Sequence, residues 1–276
     1  MDPFFSKTVL VTGGGSGIGR ALGEELAKRG ALLVLTDINQ RRLDEVSKAI
    51  THCGGNVTAL KLDVSDGIAV TGLIRDLVRK MGRLDYLFNN AGIAVGGEAC
   101  ECSLEDWASV VGVNLYGVIH GVSAAYPLMV KQGFGHIINT ASIEGLVPFP
   151  CTVGYVTSKY AVVGLSNALR IEGKDLGVKV SVVCPGFIDT SIFHDSKMIN
   201  IDRRKVIESL SSVGGMTPQK CASVILRGVL KNKAIITVTF HARLLWMLHR
   251  LSPNLTLRLQ ERRMKKFREE FRAHSW

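Results

Sequence analysis

"TVLVTGGGSGIGRALGEELAKRG", residues 8–30, decides how this chain is read. An apolar, β-branched run (8–12) enters three consecutive glycines without a spacer, and an amphipathic stretch follows from Gly17. Strand, tight glycine turn and helix, in that order, aim backbone N–H groups and a helix N-terminus at one point, where a pyrophosphate is held. Gly13 permits the turn, Gly17 lets phosphates approach the backbone, and Gly19 lets helix and strand pack closely; Ser16 and Ile18 complete the loop. A glycine cluster alone also fits a purely structural turn. Here an acid, Asp37, closes the next apolar run, "LLVLTD" (32–37), about 20 residues on, as a dinucleotide site requires.

A carboxylate at Asp37 accepts hydrogen bonds from both hydroxyls of an adenosine ribose and repels a 2′-phosphate. Ser16 and Ile38 stand where a basic residue would neutralise that phosphate, so the chain favours NAD over NADP. Arg41 and Arg42 oppose this only if the loop bends one of them back; on the solvent face of the next helix they are neutral to the choice.

Beyond the loop, short apolar runs alternate with longer amphipathic ones. Strands are expected at 8–12, 32–37, 57–63, 84–90, 136–142, 179–185 and 234–238, and helices at 17–29, 40–52, 66–81, 103–132, 155–176 and 217–232. Strands apolar on both faces and separated by helices predict an α/β fold. Its doubly wound (Rossmann), mostly parallel seven-stranded sheet would carry helices on both faces. One domain over residues 1–240, with a C-terminal extension over 241–276, is the simplest division.

The 276 residues are 46% hydrophobic and 21% charged, an ordinary globular composition. No apolar run reaches the roughly 18 residues that span a bilayer, and "MDPFFSK" leaves no room for a signal peptide before the first strand, so a cytoplasmic location is expected. The six cysteines lack metal-ligand spacing, and reduced thiols with no metal site are the expectation. The net charge of +10 is uneven: residues 241–276 carry nine Lys/Arg against three acids, +6 of the total.

Several ordered motifs identify the family that the chain resembles. "TGGGSGIG" (12–19), "LDV" (62–64), "NNAG" (89–92), "YVTSK" (155–159) and "PGFIDT" (185–190) resemble those of the short-chain dehydrogenases/reductases over about residues 6–240. The resemblance implies Asp63 and Val64 against adenine, and Asn90, Ala91 and Gly92 flanking the cofactor. It also implies a catalytic tetrad of Asn114, Ser142, Tyr155 and Lys159. Pro185, Gly186, Ile188 and Thr190 would lie on the nicotinamide side, with Thr190 holding the carboxamide.

The chemistry fits these residue types. Oxidising an alcohol removes its hydroxyl proton while hydride leaves carbon, and a phenol with a pKa of about 10 is a poor base at neutral pH. An ammonium four residues on, on the same helix face, is expected with the positive nicotinamide ring to lower that pKa, and to grip the nicotinamide ribose. Ser142 would hydrogen-bond the reacting oxygen. Asn114 either holds a water in a proton relay to Lys159 or is an internally satisfied side chain. His120 and His136 read as ordinary helix and strand-edge residues. Glu144 either enters the substrate pocket or is a loop charge.

The segment 187–216 is expected to cover the site as a mobile lid. Phe187 and Phe193, with Val95, Leu146 and Phe149, suggest a pocket for an apolar secondary alcohol or ketone. The alternatives are an NADPH-dependent carbonyl or oxoacyl reductase and, in another class, a non-catalytic cofactor-binding sensor or scaffold. Residues 241–276 read as a basic amphipathic helical extension, with Leu255, Leu259, Met264, Phe267 and Phe271 on the apolar positions of its second helix. It would contact a membrane surface peripherally, dock on the chain's own sheet edge, or pair across a homodimer or homotetramer. No nucleic-acid motif accompanies the charge.

Overall fold

The computed structural model describes residues 2–272. Seven strands form one parallel sheet in the order β3-β2-β1-β4-β6-β7-β9: β1 (Thr8–Thr12), β2 (Leu32–Asp37), β3 (Val57–Lys61), β4 (Tyr86–Asn89), β6 (Gly135–Thr140), β7 (Val178–Cys184) and β9 (Ile235–Thr237). Every pairing is parallel, and register runs Thr8 to Leu32 on one side of β1 and Val9 to Tyr86 on the other. Chain order reverses between β1 and β4, the crevice where such sheets bind ligands.

Helices cover both faces because the strands are apolar on both. Against one face, α1 (Gly17–Lys28), α2 (Gln40–His52) and α9 (Pro218–Leu230) bury Leu22, Leu26, Leu43, Ile225 and Val229 on Val9, Val11 and Leu35. Against the other, α3 (Gly67–Met81) and α5 (Gly117–Gln132) bury Ile74, Ala125 and Met129 on Leu10, Leu87 and Ile137. A third cluster joins α6 (Val153–Gly173) to β7 and to α10 (Phe240–Leu251) through Val162, Val182 and Ala242.

The single helix expected over 103–132 is interrupted. Its first part, α4 (Leu104–Val111), starts on a reciprocal cap between Ser103 and Asp106, and a π-helical turn at Gly112–Tyr116 separates it from α5. Such turns are rare and concentrate at functional sites; this one carries Asn114. The composite 104–132 helix is also, on average, long and apolar enough to span a bilayer, contrary to the sequence expectation, though Val118, Ala125 and Met129 are buried in the core.

The lid region contains more structure than expected. Strand β8 (Lys197–Met198) pairs in parallel with β5 (Val95–Gly96), and α7 (Ile192–Asp195) and α8 (Arg203–Val213) flank it. Beyond α10, α11 (Pro253–Glu270) returns across this region, and residue 272 bridges to Ile201. The apolar positions assigned to this helix need correction. Thr256 and Gln260 face inward with Met264 and Phe267, whereas Leu255 and Leu259 face out.

Candidate active site

The glycine loop, Asn90–Gly92, the turn after β6 and the segment after β7 all leave the carboxyl ends of neighbouring strands. Gly13 has φ +67°, where side chains strain the backbone, and a Cβ on Gly19 would lie 2.0 Å from the Gly13 carbonyl oxygen. Ser16 is the N-cap of α1, so Gly17, Ile18 and Gly19 form its first turn and present free N–H groups to the cleft. A Cβ on Gly17 would meet the Thr190 methyl at 3.1 Å, so the loop and the post-β7 segment face each other closely.

Asp37 reaches this loop. One carboxylate oxygen accepts from Gly15 N–H at 2.9 Å and the other from Asn39 N–H at 2.9 Å. Arg42 does not turn inward onto a phosphate position. Its guanidinium makes two bonds, 2.7 and 3.0 Å, to Asp195 of α7, while Arg41 pairs with Glu45 in solvent. The Thr12 hydroxyl accepts from Asn90 and Ala91 N–H, and the Asn90 side chain donates to the Thr12 carbonyl, locking the two motifs together. Thr12 was not singled out in the sequence, although it begins the quoted glycine motif.

Other expected cofactor positions divide by role. Asp63 is exposed and accepts from Ser65, whereas the Val64 side chain is buried against Gly117 and its carbonyl accepts from His120 Nδ1 at 3.0 Å. Gly92 lies against Asn114 and Lys159. Pro185 is buried and its carbonyl accepts from Ile143, Gly186 packs on Thr239, and Ile188 is core.

The tetrad positions converge. Ser142, two residues beyond β6, caps a short turn at Ile143–Gly145, and Gly145 lets that turn touch the backbone of α6: a Cβ there would lie 2.6 Å from the Lys159 carbonyl. A buried chain, Asn89 to Asn139 to Ser166, fixes α6 on the sheet with bonds of 2.9 and 3.0 Å. The Ser142 hydroxyl accepts from Glu144 N–H at 3.1 Å and lies close enough to Tyr155 to favour its ionised form. Lys159 is buried, lies 5.4 Å from the Tyr155 ring centroid and donates to the Thr140 carbonyl at 2.8 Å.

Electrostatics differs from the sequence expectation. Burial pushes the Tyr155 phenol above its ordinary value, Glu144 adds to this, and Ser142 only partly opposes it. Burial also pulls Lys159 down to about 8. The lowering of Tyr155 by Lys159 is therefore not what this geometry produces, because desolvation penalises both charged forms. Glu144 is raised by burial, accepts from Thr152 at 2.6 Å, and faces both Tyr155 and Lys159.

The Asn114 amide is fully engaged: it accepts from Ile93 N–H at 2.8 Å and donates to the Ile93 carbonyl and Ser158. Its side chain is thus internally satisfied. The Phe187 and Phe193 rings pack at a 59° tilt with centroids 5.5 Å apart and line a cavity of about 260 Å³ with Thr190, Ile207 and the polar Asp189 and His194. Val95 lies in β5, Phe149 packs at the edge of the third core cluster, and Leu146 is buried inside it, contributing packing and not pocket surface. His136 is held near a pKa of about 3 by burial beside Ser181, a core role.

Comparisons with known proteins agree with this arrangement. A family model described as short chain dehydrogenase matches residues 7–198. Meso-2,3-butanediol dehydrogenase of Serratia marcescens is 35% identical over 68% of this chain and 74% of its own. Cyclohexanol dehydrogenase of an Acinetobacter strain is 35% identical over 72% and 81%. The crystal structure of a Burkholderia phymatum short chain dehydrogenase/reductase in complex with NAD superposes with a TM-score of 0.83 at 30% identity, covering 92% of this chain and 96% of that one.

Proposed function

We propose that this chain, which belongs to the short chain dehydrogenase family, interconverts an apolar secondary alcohol and its ketone with NAD(H). The observation that carries the reading is the convergence of Ser142, Tyr155 and Lys159 on the cleft whose other wall is the Gly13–Gly19 loop. That loop fits a dinucleotide: its glycines are required by backbone geometry, and the first turn of α1 leaves N–H groups for a pyrophosphate. Asp37 and Thr190 would hold the ribose and nicotinamide ends.

When bound, the nicotinamide supplies the hydride acceptor or donor. Tyr155 supplies the proton. Its raised pKa leaves the phenol neutral at neutral pH, so in the reducing direction it is already the acid for the ketone oxygen. In the oxidising direction it must first ionise, and the nearby Ser142 hydroxyl favours that form. Lys159, held by Thr140, stays within reach of Tyr155 to return the proton. Phe187 and Phe193 favour an apolar substrate, as does the resemblance to a protein named for cyclohexanol.

The choice of NAD rests on Asp37, which would set like charge against a 2′-phosphate, and on Arg42, which is engaged by Asp195. The long helices at 104–132 and 153–173 expose Tyr116, Tyr160 and Ile171 and are the proposed homodimer or homotetramer surface.

Tyr155→Phe is expected to lower turnover by about 10²–10⁴-fold, measured with cyclic secondary alcohols and ketones, while NADH affinity stays within twofold. A normal kcat removes Tyr155 as the acid/base. Fluorescence titration is expected to show tighter binding of NADH than NADPH; equal or reversed affinity overturns the cofactor assignment.

A further inference from the structure

The C-terminal helices leave a surface that neither fold nor catalysis uses. On α10, Phe240, Leu244, Met247 and Leu251 are each at least half exposed. Their spacing places them on one side of the helix. The opposite side carries Ala242, Leu245 and Trp246, which pack on the third core cluster. On α11, Leu255 and Leu259 are exposed as well. A shallow cleft between the two helices is lined by Leu245 and Leu259 and rimmed by Arg262, Arg263 and Lys266.

The charge around this surface is one-sided. Among the described residues, Arg243, Arg258, Arg262, Arg263 and Lys265 have no ion pair, and Lys266 has only a loose one, 3.6 Å, to Glu270. Glu261 and Glu269 offset part of the charge. By contrast, Arg268 and Arg272 bind Glu98 and Glu101 and hold α11 to the chain. The extension is thus fastened by one set of cations while a second set faces solvent beside exposed leucines.

We propose that this α10–α11 face docks on an anionic lipid bilayer. Apolar side chains flanked by cations match the boundary between acyl chains and acidic headgroups. A second copy of the chain fits less well, because a two-fold contact through this face sets the same cations against one another. The extension is folded on the catalytic unit, so docking needs no rearrangement and no turnover.

The test is co-sedimentation of the full chain with vesicles of phosphatidylcholine alone or mixed with phosphatidylglycerol. Binding is expected to the mixed vesicles and to be at least about tenfold weaker without the acidic lipid. Arg262→Gln, Arg263→Gln and Lys265→Gln together are expected to weaken it by about a hundredfold, at roughly one headgroup attraction per cation. Leu244→Ser, Met247→Ser and Leu251→Ser together are expected to weaken it by at least about tenfold. NADH binding, independent of any substrate assignment, reports that each variant is folded; if the serine variant unfolds, the exposed glutamine variant decides. The proposal is overturned if the parent chain ignores acidic vesicles, if neither variant changes binding, or if the exposed leucines are buried in a solution dimer.

Discussion

Between Thr12 and Asp37 the wall of the cleft is held by short side chains that accept from backbone N–H groups, Thr12 from Asn90 and Ala91 and Asp37 from Gly15, and by glycines that admit no Cβ. Between Phe187 and Arg272 the facing wall is held by long cationic side chains. Arg203 caps the carbonyls of His194 and Ser196, Lys197 pairs with Asp106, and Arg268 and Arg272 clamp Glu98. A wall of short side chains bonded to backbone N–H groups and closely packed glycines has little slack. One made of flexible ion pairs can loosen locally while the domain stays folded. The difference suits a fixed cofactor cradle facing a roof that opens for substrates.

Gly19→Ala is the most severe way to probe the cradle. Its Cβ would stand 2.0 Å from the Gly13 oxygen and 2.6 Å from the Asn90 amide nitrogen, and neither can withdraw without opening the loop. A loss of more than about 3 kcal/mol in urea unfolding, or failure to fold, is expected. Gly72→Ala is the matched control. It lies inside α3 with no atom within 4 Å of the added Cβ, and should stabilise by roughly 0.5–1 kcal/mol. Similar effects at both positions would remove the claim that close glycine packing holds the cradle.

Glu98→Ala probes the roof and should have a smaller, local effect. It deprives Arg268 of its acid and leaves Arg272 with Glu101. Hydrogen exchange in α11 is expected to rise by an opening free energy of about 1–2 kcal/mol, with the global unfolding midpoint unchanged. The acid dependence has a definite sign. Arg268 holds the Glu98 carboxyl below its ordinary value, so the clamp is complete above the ordinary carboxylate range and is lost as pH falls through the lowered pKa. Glu98→Gln should abolish that acid loosening of α11. A global loss of stability instead would place the extension in the folding unit itself.

The same contrast explains what the sequence discloses. Cradle contacts obey local rules, so Gly13, Gly19 and Asp37 declare themselves through turn geometry and strand ends only about 20 residues apart. All seven sheet strands and the starts of α2 and α3 are legible for the same reason, the two helix starts capped by Asn39 and Asp66 in the structure. Roof contacts join residues such as Glu98 and Arg272, 174 positions apart, with no periodicity to announce them. The inward turn of Thr256 and Gln260 was hidden because apolar periodicity alone cannot tell which face a short polar residue will satisfy. The direction of the Tyr155 shift was hidden too, since adjacency to Lys159 is visible in sequence but the desolvation of both groups is not.

Arg42 is where the two walls meet, and it gives the smallest expected effect. Its pair with Asp195 is exposed at both ends, and such pairs contribute at most about 1 kcal/mol and are screened by salt. Arg42→Ala should therefore leave NADH affinity within about twofold and raise hydrogen exchange in α7 a few-fold, an effect that disappears in high salt. The informative measurement is NADPH affinity in the same variant. If Arg42 serves only the roof, NADPH binds the parent and the variant equally weakly. A drop of more than tenfold in NADPH affinity alone would mean that the guanidinium leaves Asp195 for a 2′-phosphate. The cradle would then borrow a side chain from the roof's clasp, and cofactor choice would depend on whether the roof is closed.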